Sequence, residues 1–357
     1  MNKQQNLKMI EELSNANGPS GFEHEVVETV KKYRPTKAVI KTDAMCNTFI
    51  RYQNQLAAKP TLLLDAHLDE VGFIVQAVKP NGTIKFVPLG GWVPANVTAE
   101  KVRIKNRRGK WITGVVATKP PHFMSAAERK QPVAIENLVI DVGTVNDQET
   151  KVDLQIDTGC PIVPDVSWQY FADRDFMLGK AFDNRIGTAV ILSAMNELQD
   201  KKLGVNLIGT LAAQEEVGCR GAKVTIRKVK PQIAICLEGC PADDTFTPEW
   251  LIQTGFKRGP MLRDLDTSFI ATPKFQEFAV KQAEANQIPY TRSVRTGGGI
   301  DGSQLLYYEG IPTICIGIPV RYEHTHYSLV AYQDFAATVK LLEQIILKLD
   351  QQVIAQF

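Results

Sequence analysis

Residues 61 to 72 read Thr-Leu-Leu-Leu-Asp65-Ala-His67-Leu-Asp69-Glu70-Val-Gly, an apolar run that ends in one imidazole and three carboxylates. Burying such groups at the end of a strand is costly unless something offsets their desolvation. Imidazole combined with carboxylate suits zinc, cobalt or manganese. An Asp two residues beyond a ligating His is placed to take the second ring N–H and fix its tautomer. Four more segments carry the same residue types. Lys180-Ala-Phe-Asp183-Asn-Arg185 precedes a helical pattern, so Asp183 is either a ligand or a helix cap. Gln214-Glu215-Glu216-Val-Gly218 and Cys236-Leu-Glu238-Gly239 each close an apolar run in acid, and Arg321-Tyr-Glu-His324-Thr-His326 adds imidazoles after another.

His, Asp, Glu, Glu and His on five segments form an inventory for two metals sharing one carboxylate, with one further carboxylate left as a base. Two ions roughly 3.5–4 Å apart acidify a bridging water and polarise a carbonyl. A carboxylate that binds no metal then takes the proton and hands it to the leaving amine. Successive side chains at a strand end point in different directions, so Glu215 and Glu216 can divide this labour. Paired acids also suggest a glycosidase, but its carboxyls must stand about 5–9.5 Å apart across a sugar, and sequence neighbours are poorly placed for that. A metal-bound scaffold without catalysis is the non-enzymatic alternative. The turn Gly297-Gly-Gly-Ile300-Asp301-Gly302 has no following Lys, so it does not read as a phosphate loop.

These residues need a scaffold that brings distant segments together. Residues 4–14 and 23–33 read as amphipathic helices separated by Gly18-Pro-Ser-Gly21, and 61–65 as a buried strand. Between 72 and 162 the pattern changes to short alternating segments (83–87, 101–104, 111–117, 138–142) with Gly, Pro and charged turns, which predicts an inserted all-β domain. From 178 onward strands at 205–213, 232–237, 250–254 and 313–318 alternate with helices at 185–198, 275–285 and 335–349. That order predicts an α/β sandwich, a central mixed sheet with helices on both faces. In such sheets the site lies at strand ends, where the acids and imidazoles fall.

Composition narrows the function classes. The 357 residues are 44% hydrophobic and 22% charged, as in ordinary globular proteins, and exceed one usual core. A net charge of +2 gives no electrostatic case for nucleic acid or an anionic membrane. The apolar runs fall short of the ~20 residues that span a bilayer, and the N-terminus shows no secretory h-region. The six cysteines form no C-x-x-C pair, and the spacing of Cys219, Cys236 and Cys240 fits no thiolate zinc pattern. A cytoplasmic protein with reduced thiols is the expectation.

Over nearly its whole length the chain resembles the glutamyl and deblocking aminopeptidases, dinuclear metallopeptidases that form tetrahedral particles. The resemblance rests on Gly18-Pro-Ser-Gly-Phe-Glu23, Asp65-Ala-His-Leu-Asp-Glu-Val-Gly72, Gly90-Gly-Trp92, Pro120-Pro-His-Phe123, Glu128-Arg129, Gly179-Lys-Ala-Phe-Asp-Asn-Arg185, Gln214-Glu-Glu-Val-Gly218 and Arg321-Tyr-Glu-His324. It implies two divalent ions per subunit, held by His67 on one side and His324 on the other. Asp183 would bridge, with Glu216 and Glu238 as terminal ligands, Glu215 as general base and Asp69 as the partner of His67. Where the family often has Asp, this chain has Glu238. Where it commonly has Thr before Asp301, this chain has Ile300. His326 then reads as supporting, and His24 and His122 as structural.

The resemblance further implies a catalytic domain of residues 1–71 with 163–357, and a β-barrel-like dimerisation insert at 72–162. Dimers would be the building block of a homo-oligomer, up to a tetrahedral dodecamer. The expected activity is removal of N-terminal residues from short peptides, with an amidase or dipeptidase acting on N-acyl amino acids or dipeptides as the alternative. Lys257 and Arg263 are candidates for holding an acidic N-terminal side chain, and Asp301 for a loop beside the substrate.

Overall fold

The structure, a computed structural model, describes residues 1–131 and 133–357. Its main sheet has eight strands in the spatial order Ala38–Thr42, Thr48–Tyr52, Asn206–Ala212, Thr61–His67, Ile233–Pro241, Thr313–Val320, Met261–Leu265 and Thr291–Val294. The four central strands, from Asn206–Ala212 to Thr313–Val320, run parallel to one another. Their sequences are near-continuous Leu, Ile, Val and Ala because helices cover both faces, leaving no solvated side to alternate with. Lys3–Asn15, Phe182–Leu198 and Tyr332–Lys348 pack together on one face, while Arg220–Val229 packs with Gly302–Tyr307 on the other.

Parallel strands place all their carboxyl ends at one rim. The register sets His67 beside Ala212, Asp65 beside Cys236, and Glu238 beside Gly317. The chain after Ala212 therefore delivers Glu215 and Glu216 to the same rim, and the chain after Val320 delivers His324. Phe182–Leu198 crosses beneath and adds Asp183 from its first turn.

Gly72–Val78, Ile84–Leu89, Lys101–Lys105, Trp111–Ala117, Val139–Asp141 and Pro161–Pro164 close into a separate barrel, antiparallel at every pairing. It has its own core, including Phe73, Phe86, Ile104 and Ile162. Trp92, on the barrel side, meets His326 of the main domain at 5.5 Å between ring centroids. Its indole donates to the Gly72 carbonyl at 3.1 Å and stacks on Phe73 at 4.8 Å between ring centroids.

The expected strand at 250–254 is absent. Glu249–Leu251 is one 3-10 turn following Pro248, with Phe246 and Trp250 strongly exposed. Proline supplies no N–H for a ladder, and no neighbouring strand pairs with this segment. Met261–Leu265 takes the place beside Thr313–Val320, antiparallel to it.

Glu70, grouped by sequence with the metal-type residues, has a different use. Its carboxylate meets Lys180 Nζ at 2.6 Å and Arg185 Nη2 at 3.2 Å, all three side chains being almost completely buried. Arg185 also donates to the carbonyls of Leu13, Ala16, Gly18 and Leu68, pinning the first helix and its Gly-Pro turn to the sheet. Glu70→Ala would leave two buried cations without their anion. A loss of about 3–5 kcal/mol is expected, seen as a lower urea midpoint. A midpoint matching wild type would show that the two cations are neutralised elsewhere.

Candidate active site

Asp183 stands between two imidazoles. Its Oδ1 is 3.0 Å from His67 Nε2, and its Oδ2 is 3.3 Å from His324 Nε2. Glu238 Oε1 lies 3.3 Å from His67 Nε2, and Glu216 Oε2 lies 3.3 Å from His324 Nε2. Two trios result, His67–Asp183–Glu238 and Asp183–Glu216–His324, each with ligand-type atoms within 4.8 Å of one another. They share only Asp183, which offers one oxygen to each. Glu215 belongs to neither, and its Oε2 is 3.9 Å from His67 Nε2.

Local backbone explains how these side chains arrive. Ala181 before Asp183, Gln214 before Glu215, and His324 itself all have positive φ, a conformation L residues rarely adopt. Each turns the chain sharply at a strand or helix end. The Asp183–Asn184 peptide is cis, and the Asn184 side chain bonds Leu237 O, Gly187 N and Gly239 N, fixing the helix start against the Glu238 strand. From the barrel side Gly90, at φ +83°, approaches so closely that a Cβ there would meet Glu216 Oε2 at 3.2 Å.

Asp69 organises rather than joins the trios. His67 Nδ1 is 3.2 Å from the Asp69 carbonyl and 3.4 Å from Oδ1. The Asp69 carboxylate accepts the backbone N–H groups of Glu215 at 2.9 Å and Glu216 at 3.2 Å, and the Ser20 hydroxyl at 2.6 Å. One residue thus orients an imidazole and anchors both glutamates. Burial opposes its charge, but His67 and Ser20 outweigh it and hold the carboxyl below the usual range.

The donor set fits divalent cations. Burial pushes Glu238 up to about 8 against the pull of His67, with Asp183 repelling it further. Burial likewise raises Glu215 well above the ordinary range, with Glu238 and Glu216 adding to the rise. Glu216 Oε1 and Glu238 Oε1 are buried acceptors without a hydrogen-bond partner. Crowded, dehydrated carboxylates with unused lone pairs are what cations neutralise.

A cavity of about 790 Å³ opens over both trios, walled on its far side by Gly297, Gly298, Gly299, Arg263 and Arg295. Arg263 is 3% exposed and pairs with Asp266 at 2.8 Å. Lys257 is misplaced by the sequence reading. It is absent from the lining, its ammonium donates to the Arg174 carbonyl, and its backbone N–H serves Asp334. Asp301 also lies behind the wall, which Ile300 forms instead. Its carboxyl is fully buried near Glu215 and Cys219, and senses Asp65 electrostatically. His326 packs against Trp92 at 5.5 Å between centroids, away from both trios, and His122 sits exposed on a turn. The Glu323 side chain, given no role by the sequence reading, lines the cavity beside His324. Its only sequence signal is an acid directly before the imidazole.

Residues 47–341 match the model of a family described as M42 glutamyl aminopeptidase. This chain belongs to the M42 peptidase family. The M42 chain is 30% identical to the glutamyl aminopeptidase of Lactococcus lactis over 354 residues, covering 97% of each protein. A TET aminopeptidase from a marine sediment Thaumarchaeota archaeon superposes with TM-score 0.93 at 31% identity, covering 99% of both chains. The Pyrococcus horikoshii TET1 peptidase, which can assemble into a tetrahedron or a large octahedral shell, shares the fold at TM-score 0.86 and 24% identity, over 96% of this chain and 100% of that one. The M42 chain is accordingly a metal-dependent aminopeptidase, a hydrolase acting on peptide bonds. Among the described residues no helix is long and apolar enough to cross a membrane.

Proposed function

We propose that His67, Asp183 and Glu238 hold one divalent ion, that Asp183, Glu216 and His324 hold a second, and that Glu215 is the general base. The observation carrying this reading is Asp183, whose two oxygens face the two imidazoles. Zinc, cobalt and manganese all suit this donor set. Bound there, the ions would acidify a water and polarise the scissile carbonyl. Glu215, outside both trios yet 3.9 Å from His67, is free to take the water's proton and return it to the departing amine. Asp69 fixes the His67 tautomer and the glutamate backbone, so the base is preset rather than recruited.

The substrates are short peptides with a free N-terminus. Arg263 supports a preference for N-terminal Glu or Asp, because its Nε remains buried with no partner while Asp266 occupies Nη1. Residues 1–71 with 163–357 form the catalytic domain and 72–162 the dimerisation insert. Dimers would build a homo-oligomer, in its fullest form a tetrahedral dodecamer, a tetrahedron being one assembly that the Pyrococcus horikoshii relative can form. Six free thiols suit a reducing cytoplasm.

A panel of metal-loaded assays tests this reading. Glutamyl and aspartyl anilides should turn over faster than leucyl anilide, and N-acetylated counterparts should be inert. Hydrolysis of the acylated substrates alone would favour the amidase alternative. A leucyl optimum would remove the acidic preference while leaving the aminopeptidase intact.

A further inference from the structure

The charged groups facing the cavity outside the two trios and Glu215 are Asp243, Arg263, Arg295 and Glu323. Three of these four are matched. Arg263 pairs with Asp266, and Arg295 with Asp243 at 3.4 Å while also donating to Pro241 O and Thr254 Oγ1. Among the described residues Glu323 has no such partner. Its Oε2 is buried without a hydrogen bond, and it belongs to neither trio. A dehydrated carboxyl oxygen with no donor, facing a cavity, calls for a donor brought by the ligand.

Position decides which donor. Glu323 directly precedes His324 and lines the same cavity as Asp183, Glu238 and His324. Its carboxyl therefore stands beside the place where a scissile carbonyl must sit. In a peptide the α-nitrogen is only about 2.5 Å from its own carbonyl carbon, two bonds across a near-tetrahedral Cα. The ammonium of a lysine side chain would be four methylenes farther away. An α-ammonium beside the trios is thus within reach of Glu323, and a charge-assisted bond there would hold the free N-terminus.

We infer that Glu323 is a substrate-binding residue that accepts the α-ammonium of the peptide's first residue. This rests on the aminopeptidase reading and deepens it. Arg263, although paired with Asp266, keeps an unpartnered Nε for an acidic side chain, so one cavity offers separate sites for the two charges of an N-terminal glutamate. Selection for a free amine would then come from a carboxyl beside the reacting centre as well as from the shape of the cavity.

The test uses full-length, metal-loaded enzyme and two inhibitors, 1-amino-3-methylbutylphosphonate and its des-amino counterpart 3-methylbutylphosphonate. Glu323→Gln should weaken the amine-bearing compound about tenfold and leave the des-amino compound unchanged, with metal content at the wild-type level. Glu323→Ala, as a second variant, should show the same selective loss. Equal loss for both compounds, or none for either, would overturn the inference. So would loss of bound metal, which would make Glu323 a ligand, or a defect confined to lysyl anilide, which would make it a side-chain site. Wild-type enzyme that cleaves no aminoacyl anilide would sink the parent reading. Active wild type with an indistinguishable Glu323→Gln sinks only this one.

Discussion

Glu215→Gln is expected to lower kcat by roughly 10²–10⁴-fold while both ions stay bound. Gln keeps the side chain's volume and still accepts the Cys219 thiol, which lies 3.1 Å from Oε1. The backbone N–H remains anchored by Asp69. Only the capacity to take a proton is removed. Its sequence neighbour provides the control, because Glu216 faces His324 and belongs to a trio. Glu216→Gln should lower metal content, whereas Glu215→Gln should not. Turnover with an aminoacyl anilide and elemental analysis of the same preparation read both quantities. Unchanged turnover in Glu215→Gln would exclude it as the base.

Asp183→Asn should disable the site more thoroughly than loss of any terminal ligand. Each other member of the trios would serve one ion, but Asp183 presents Oδ1 to one trio and Oδ2 to the other. An amide has one carbonyl oxygen and no charge, so at least one ion loses a ligand and both lose a shared anion. Loss of several kcal/mol of transition-state stabilisation is expected, on the order of a thousandfold or more in rate. Metal per subunit should fall below that of Glu238→Gln measured alongside. Burial opposes the Asp183 charge, but His324 and His67 hold its carboxyl below the usual range, so it is already ionised when metal arrives. Two ions bound at wild-type affinity in Asp183→Asn would refute the bridging role.

Much of this architecture could be read from sequence because its signals are local. Leu62–Leu64 and most of Thr313–Val320 are apolar, as expected of strands buried on both faces, and polar residues enter Thr61–His67 only toward its site end. The helix Phe182–Leu198 shows its period from Ile186 onward, and the barrel's segments alternate between Gly and Pro turns. The segment 250–254 misled because Trp250, Leu251 and Ile252 are apolar, yet Trp250 projects outward near the cavity rim. Ala38–Thr42, the largely solvated edge, and Thr48–Tyr52, its buried neighbour, give no sequence signal because five residues each are too few to establish a period. Arg220–Val229 was likewise missed.

The site was partly legible for the same reason. Residue types at strand ends announced its members, but their convergence is a tertiary fact that no window of sequence contains. Lys257 looked plausible by charge and nearness to Arg263, yet its side chain turns away to a backbone carbonyl. Glu323 sits inside the Arg321-Tyr-Glu-His324 segment. Nothing local distinguishes a solvated acid from one with an oxygen buried and left without a hydrogen-bond partner. Glu70 looked like a ligand until Lys180 and Arg185, more than a hundred residues later, claimed it.

Thr313–Val320 occupies an interior place in the sheet, yet is nearly the last strand to leave the ribosome. Until translation reaches it, Ile233–Pro241 and Met261–Leu265 each present a bare backbone edge to solvent, and Asp183, Glu216 and Glu238 wait without the imidazole of His324. Exposed apolar edges on a half-made chain invite pairing with neighbouring nascent chains. Production of this protein should therefore depend on chaperone supply late in elongation, and truncation before residue 313 should yield aggregates rather than a smaller soluble fragment.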